Sequence, residues 1–208
     1  GGTADYLHVA DLVDMPAARH LRRTTEVMAD PAFRRLFRPK EDLRHCEHIF
    51  PAYNIAMLAK YDALRMAARQ TNHSYSHYIW IDFGATHRGD GASVPLPQVR
   101  PRDRDEIVLV GKPLRRLWSL RRSALTRYIA KFRMRAIGNL VIAPASRVEL
   151  LADLVDVHYQ TLLDMNLTTD DQTLLDMAMI SHPHMFHMAR VPRGVFPFSY
   201  GETVLSGN

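Results

Sequence analysis

The chain reads as an α/β protein with a parallel or mixed sheet flanked by helices, and three features predict it. An apolar run, Tyr78-Ile79-Trp80-Ile81, ends abruptly on Asp82-Phe83-Gly84, the pattern of a strand buried on both faces in the middle of such a sheet. The segment before it, residues 52–70, has helical periodicity and enters that strand by an α-to-β step. Two later apolar runs, Glu106 to Val110 and Ile137 to Ala143, read as further strands between helical segments.

Size and charge narrow the class. With 208 residues there is room for one well-buried core and little for two. One domain over residues 1–191 is expected, with 192–208 a Pro-, Gly- and Ser-containing tail. An apolar content of 47% and a charged content of 24% are ordinary for a soluble protein. No apolar run approaches the roughly 20 residues that span a bilayer, and no signal peptide opens the chain. The single cysteine, Cys46, excludes an internal disulfide and suits a reducing compartment, so a cytoplasmic location is expected. The sequence begins Gly1-Gly2-Thr3 without an initiator Met, and a shortened N-terminus is expected. The formal charge of +5 is uneven: residues 100–135 hold twelve Lys and Arg against Asp103, Asp105 and Glu106.

Taken in order, Asp5 to Met15 reads as a strand running into a turn, and Ala17 to Met28 as a short helix with Pro16 in its first turn and Asp14 as N-cap. Asp30-Pro31 starts another helix, with Phe33, Leu36 and Phe37 on one side and Pro39 ending it. In residues 52–70, Met57, Tyr61, Leu64 and Ala68 fall on one face with no internal Pro or Gly. Lys60 lies beside that stripe, and a lysine there ordinarily lays its stem on the surface with its head in water. That reading is favoured over a ligand role. Residues 86–105, with Gly89, Gly91, Pro95, Pro97 and Pro101, read as a loop. Residues 112–135 read as one or two basic amphipathic helices with Leu114, Trp118, Leu125, Ile129 and Phe132 inward. Val148 to Met165 is helical, with a stripe of Leu151, Leu154, Val155, His158 and Leu162. A helix over residues 170–180 and an extended segment from Met185 to Val191 complete the pattern.

Four places could carry chemistry. Asp82 stands at the C-terminal end of its strand, the edge at which open α/β sheets bind ligands. Gly84 leaves room for a ligand to approach the backbone. Asp82 is read as ligand-facing, with a buried loop cap as the competing reading. Downstream, Thr169-Asp170-Asp171-Gln172 has the spacing of a capping box, and its acids suit the positive end of a helix dipole. Capping accounts for these residues, although a pair of carboxylates on a rigid first turn can also present a base. His182, His184 and His187 lie within six residues, and i, i+2 imidazoles can bind a transition metal. Without a Cys cluster or HExxH a structural zinc site is not expected, and one histidine completing a site at Asp82 stays open. The basic segment suits a phosphate-rich ligand, an anionic membrane or nucleic acid, but no nucleic-acid recognition motif accompanies it. Walker A, GxGxxG and GxSxG patterns are absent, which leaves ATPase, dinucleotide oxidoreductase and serine hydrolase readings without support.

Tyr53-Asn54, Lys60, the Trp80 to Gly84 strand end, Asp170 to Gln172 and Pro183 to Phe186 together resemble the HtrL/YibB family of bacterial putative glycosyltransferases, over about residues 51–188. The resemblance implies a GT-A-like, Rossmann-type mixed sheet flanked by helices, with its first strand lying before Gly1. It implies transfer of a sugar from a nucleotide-sugar donor to a saccharide or lipid-linked acceptor in polysaccharide biosynthesis. Donor contacts would fall to Lys60, Trp80, Asp82, Gly84 and Gln172, and the role of orienting or deprotonating the acceptor to Asp171 or Asp170. A divalent metal, Mn²⁺ or Mg²⁺, would sit on Asp82, with His184 a further candidate ligand. Gly84 stands where such sites carry a second Asp. Residues 100–135 would allow peripheral contact with an anionic membrane, and no nucleic-acid partner is expected. The alternative reading is a non-catalytic, basic nucleotide- or nucleic-acid-binding α/β module.

Overall fold

The computed structural model describes residues 11–37, 45–82, 105–111, 119–131 and 136–190. Expectations placed on Gly84, on the 86–105 loop up to residue 104, on Leu114, Trp118 and Phe132, and on the tail lie outside the described residues, as does most of the strand expected over residues 5–15.

Among the described residues, four strands form one mixed sheet in the order β1-β3-β2-β4, with β1 His77–Ile81, β2 Ile107–Gly111, β3 Ala136–Pro144 and β4 Phe186–Arg190. β3 runs antiparallel to both β1 and β2, whereas β2 and β4 pair in parallel. The strands β1, β2 and β4 therefore point the same way, and their C-terminal ends share an edge with the start of β3. Contrary to expectation, β1 is not a central strand: among the described residues it pairs with β3 alone. Its apolar run has another cause. Tyr78 and Trp80 face the helices while Ile79 and Ile81 join Val110, Leu140 and Ile142 on the opposite face, so both faces select apolar side chains although the strand lies at the sheet's edge.

The helices pack on the first of these faces. They are α1 Leu21–Ala29, α2 Pro31–Arg34, α3 Cys46–Ile49, α4 Pro51–Gln70, α5 Arg122–Ile129, α6 Ala145–Asp164 and α7 Asp171–Ser181. α4 has Pro51 at its first position, where a missing N–H costs nothing. Ile55, Leu58, Tyr61, Leu64 and Ala68 form its buried face, while Met57, expected among them, is half-buried. All five expected stripe residues of α6 are buried, as are Leu125 and Ile129 of α5. A helix starts at Asp30-Pro31 as expected, and Asp30 caps it, its Oδ1 accepting from Ala32 N at 2.7 Å. Asp14 is not the cap of the helix after it. Met15 holds that position, the first turns are 3-10 over Pro16–His20, and the Ala17 N–H is satisfied by Asp62 Oδ2 of α4 at 2.8 Å.

Two helix ends decide where the later chain goes. α4 and α6 both stop in the same way: Asn72 (φ 49°) and Asn166 (φ 53°) adopt the left-handed region after the last turn. The following residues donate back, His73 N to Ala68 O at 2.8 Å and Leu167 N to Leu162 O at 2.8 Å, the 6→1 bond of a Schellman ending. After α6 the chain is then tied by a buried chain of side chains. Thr24 Oγ1 and Tyr159 Oη lie 2.8 Å apart, Tyr159 Oη and Thr168 Oγ1 2.9 Å, and Asn54 Nδ2 donates to Thr168 Oγ1 at 3.1 Å. These contacts set where α7 begins. Among the described residues, no helix is long and apolar enough to cross a membrane.

Candidate functional site

The sheet edge where β1 ends and β3 begins holds the site. β3 is irregular there: Leu109 of β2 pairs with Val141 and the next residue, Val110, with Ile137. The extra length of β3 falls over residues 138–140, and such bulges re-aim the backbone at functional edges. Gly138 stands in this stretch, and a Cβ built on it would lie 2.3 Å from Asp171 Oδ2 and 2.8 Å from Asp171 Oδ1. The carboxylate of α7's first residue thus rests on bare backbone, an approach only glycine permits.

Lys60 fills the space between the strand end and the helix start. Its Nζ donates to Asp82 Oδ2 at 2.9 Å, to Asp171 Oδ2 at 3.1 Å and, at 3.4 Å, to Gly138 O. All three ammonium hydrogens have acceptors. Tyr61 Oη donates to the same Asp171 Oδ2 at 3.1 Å, and Trp80 Nε1 donates to Asp82 Oδ1 at 2.6 Å. The Lys60 side chain is 4% exposed and Asp171 2%, whereas Asp82 keeps 29%. The lysine head expected in water is therefore buried, and Asp82 is the member of the cluster that a ligand can reach.

Protonation follows from this packing. Burial works against the Lys60 charge, but the carboxylates of Asp171 and Asp82 outweigh it and its pKa is raised, so it stays an ammonium. Burial drives Asp171 up, and Lys60 only partly offsets that. Asp170 is pushed further up, by burial first and then by the neighbouring carboxylates of Asp171 and Glu47. The Tyr61 hydroxyl is also raised by burial and by Asp171, and Tyr53 to about 12 by burial, Asp170 and Glu47. With Lys60 as the cation of the cluster, several acidic groups in low dielectric cannot all ionise together.

The paired acids separate into two jobs. Asp170, 2% exposed, is the N-cap of α7, its Oδ1 accepting from Gln172 N at 3.2 Å. The cap is one residue later than the expected box, and Thr169 Oγ1 instead lies 3.2 Å from Thr173 Oγ1. Asp171 faces Lys60 and Tyr61. Gln172 is half-buried and is placed here by its backbone, and Trp80 is placed by its indole. The histidines are not brought to this edge: His182 caps the far end of α7, about 16 Å of helix from Asp171. His184 is exposed beyond it, its ring 6.3 Å from that of His182. Next to them His158 Nε2 lies 2.9 Å from Ser181 Oγ, with its pKa lowered to about 4 by burial and by His182.

The described residues do not fit a divalent ion on Asp82. Both of its oxygens already accept hydrogen bonds, one of them from an ammonium, and no three His, Cys, Asp or Glu side chains among the described residues are grouped to hold a metal. His184 gives no support at this distance along α7.

Tyr61 falls on the expected stripe of residues 52–70 and Gly138 inside the Ile137 to Ala143 run, and neither pattern marks its residue as part of a site. A glycine inside an apolar strand run is itself a signal of close approach; the partner it approaches is not visible locally.

What the fold and site define is a mixed α/β protein with a buried lysine–carboxylate cluster opening at the end of a strand. A family model described as a bacterial protein of unknown function (HtrL_YibB) matches residues 6–196, and the chain belongs to that family. No curated protein and no solved structure matches it.

Proposed function

We propose that the chain is a GT-A-like glycosyltransferase that moves a sugar from a nucleotide-sugar donor to a saccharide or lipid-linked acceptor, using the edge at the end of β1. One observation carries this reading: Lys60 joins Asp82 to Asp171, so residues from helix α4, strand β1 and helix α7 meet at one point. That point lies at the C-terminal ends of the parallel strands, where open sheets take ligands.

The roles differ from those expected of the sequence. Asp82, with its exposed face, accepts a hydrogen bond from a sugar or ribose hydroxyl. Asp171 acts through Lys60 as a positioning residue, because a base must reach the proton it removes and Asp171 is buried. Asp170 holds the helix start. The Lys60 ammonium, whose hydrogens are all taken by protein oxygens, holds the Asp82 carboxylate in place for that hydroxyl contact. Arg121, Arg122, Arg127 and Lys131, all exposed on or beside α5, add a basic face suited to an anionic membrane that carries the acceptor.

The test is a thermal-shift series with UDP, GDP, CDP and ADP, with and without Mn²⁺, on the wild type and Asp82→Ala. A ligand that binds only the folded state raises Tm. The expected result is a rise with one nucleotide that Asp82→Ala abolishes. No rise with any nucleotide, together with tight salt-sensitive RNA binding, would replace this reading by a basic binding module.

A further inference from the structure

We propose that the Lys60 ammonium occupies the cation position of this site, so that Asp82 and Asp171 hold no divalent metal and gain affinity for one only when Lys60 is removed. The purpose of the cation rests on the glycosyltransferase reading; the binding statement does not.

The geometry is that of a cation between two carboxylates. Nζ lies 2.9 Å from Asp82 Oδ2 and 3.1 Å from Asp171 Oδ2. A divalent ion shared by the same two oxygens would need the same point, with each oxygen drawn in to about 2.0–2.2 Å. Ammonium and metal exclude each other there. Displacement of the ammonium is opposed on three sides, since Gly138 O and Asp171 hold it from behind and Asp82 from the cleft. The remaining Asp82 oxygen is taken by the Trp80 indole, and Asp171 is backed by Gly138 and Tyr61.

Other uses of a buried lysine fit less well. A Schiff-base or general-base lysine needs a neutral amine and a free face toward substrate. This one is held charged by two carboxylates, with every hydrogen directed at a protein oxygen. What remains is a fixed positive charge that takes the place of a metal between the two carboxylates and holds Asp82 where a ligand reaches it.

Mn²⁺ alone is the probe, followed by the loss of its free-ion spin-resonance signal in wild type, Asp82→Asn, Lys60→Gln and Lys60→Arg. Wild type and Lys60→Arg should leave the signal unchanged at millimolar Mn²⁺. Lys60→Gln, which frees two carboxylates, should bind about tenfold or more tightly, a full logarithmic unit of affinity. Stoichiometric binding by wild type that disappears in Asp82→Asn would overturn the proposal, and so would a folded Lys60→Gln protein that binds no better than wild type. Should Lys60→Gln fail to fold by circular dichroism, the wild type against Asp82→Asn comparison still decides. No nucleotide is present, so failure of the sugar-transfer reading would show only in the thermal-shift series.

Discussion

Two of the three cations on helix α4 have opposite fates. Arg69, on its last turn, makes a two-pronged contact with Glu149, Nε to Oε1 at 2.6 Å and Nη2 to Oε2 at 2.7 Å, and is 62% exposed. Lys60, about two and a half turns earlier, makes longer contacts and is 4% exposed. By hydrogen-bond geometry Arg69 is the better pair. By consequence Lys60 matters more, because water can replace any contact of Arg69 and none of those that bind Lys60. A buried ion pair is costly to assemble and costly to break, and it is weak evidence for stability as such. Its presence in the middle of α4, where Asp82 and Asp171 converge, points to a requirement other than folding.

The largest effect should come from breaking the buried pair on one side. Lys60→Met leaves Asp171 without its cation and should cost about 3–5 kcal/mol in urea unfolding at neutral pH. The loss should shrink toward acid pH, where Asp171 takes up a proton. A loss no greater than that of an exposed lysine would remove the distinction between Lys60 and Arg69. Next comes Gly138→Ala. Its Cβ would stand 2.3 Å from Asp171 Oδ2, so the carboxylate must move, at a cost of about 1–3 kcal/mol. The same change should weaken any nucleotide-induced rise in Tm, which an overpacking effect confined to the core would not do.

Asp170→Asn sharpens the comparison through pH. Asp170 titrates above its ordinary value in the folded protein because of burial and then Asp171. Between the ordinary value of 3.8 and the raised one the native state binds more protons than the unfolded state, so stability falls as pH rises across that window. Asparagine keeps the cap and cannot ionise. The variant should show a smaller fall in stability from pH 5 to pH 9 than wild type, read from paired urea midpoints; an equal fall would place the penalty elsewhere. The smallest effect belongs to Arg69→Ala, whose unfolding midpoint should match wild type within measurement error, since the solvated pair it removes is screened.

Helices were legible in the sequence because their signals are local: a period of three to four and a proline at the start. The stripes of α4 and α6 and the helix start at Asp30-Pro31 follow from neighbours a few positions away. Lys60 was misread for the opposite reason. Its environment is set by Asp82 and by Asp171, the latter 111 positions downstream, and no local pattern distinguishes it from a surface lysine beside an apolar stripe. Apolar residues on both faces of β1 suggest double burial and a central position, whereas on the second face Ile79 and Ile81 pack beside Val110, Leu140 and Ile142 of the neighbouring strands. The acidic pair looked like a cap or a base. It is a cap at Asp170 and a partner for Lys60 at Asp171, placed by the Schellman turn at Asn166 and the close approach to Gly138.

The central claim is that Lys60 and the carboxylates form one coupled unit, and a double-mutant cycle tests it most directly. Unfolding free energies are measured for wild type, Lys60→Met, Asp171→Asn and the double variant at neutral pH. The account predicts that the double variant recovers a large part of the Lys60→Met loss, with a coupling energy of about 1–3 kcal/mol. Effects that add to within about 0.5 kcal/mol would mean that the two residues act independently, and the site built on them would not stand.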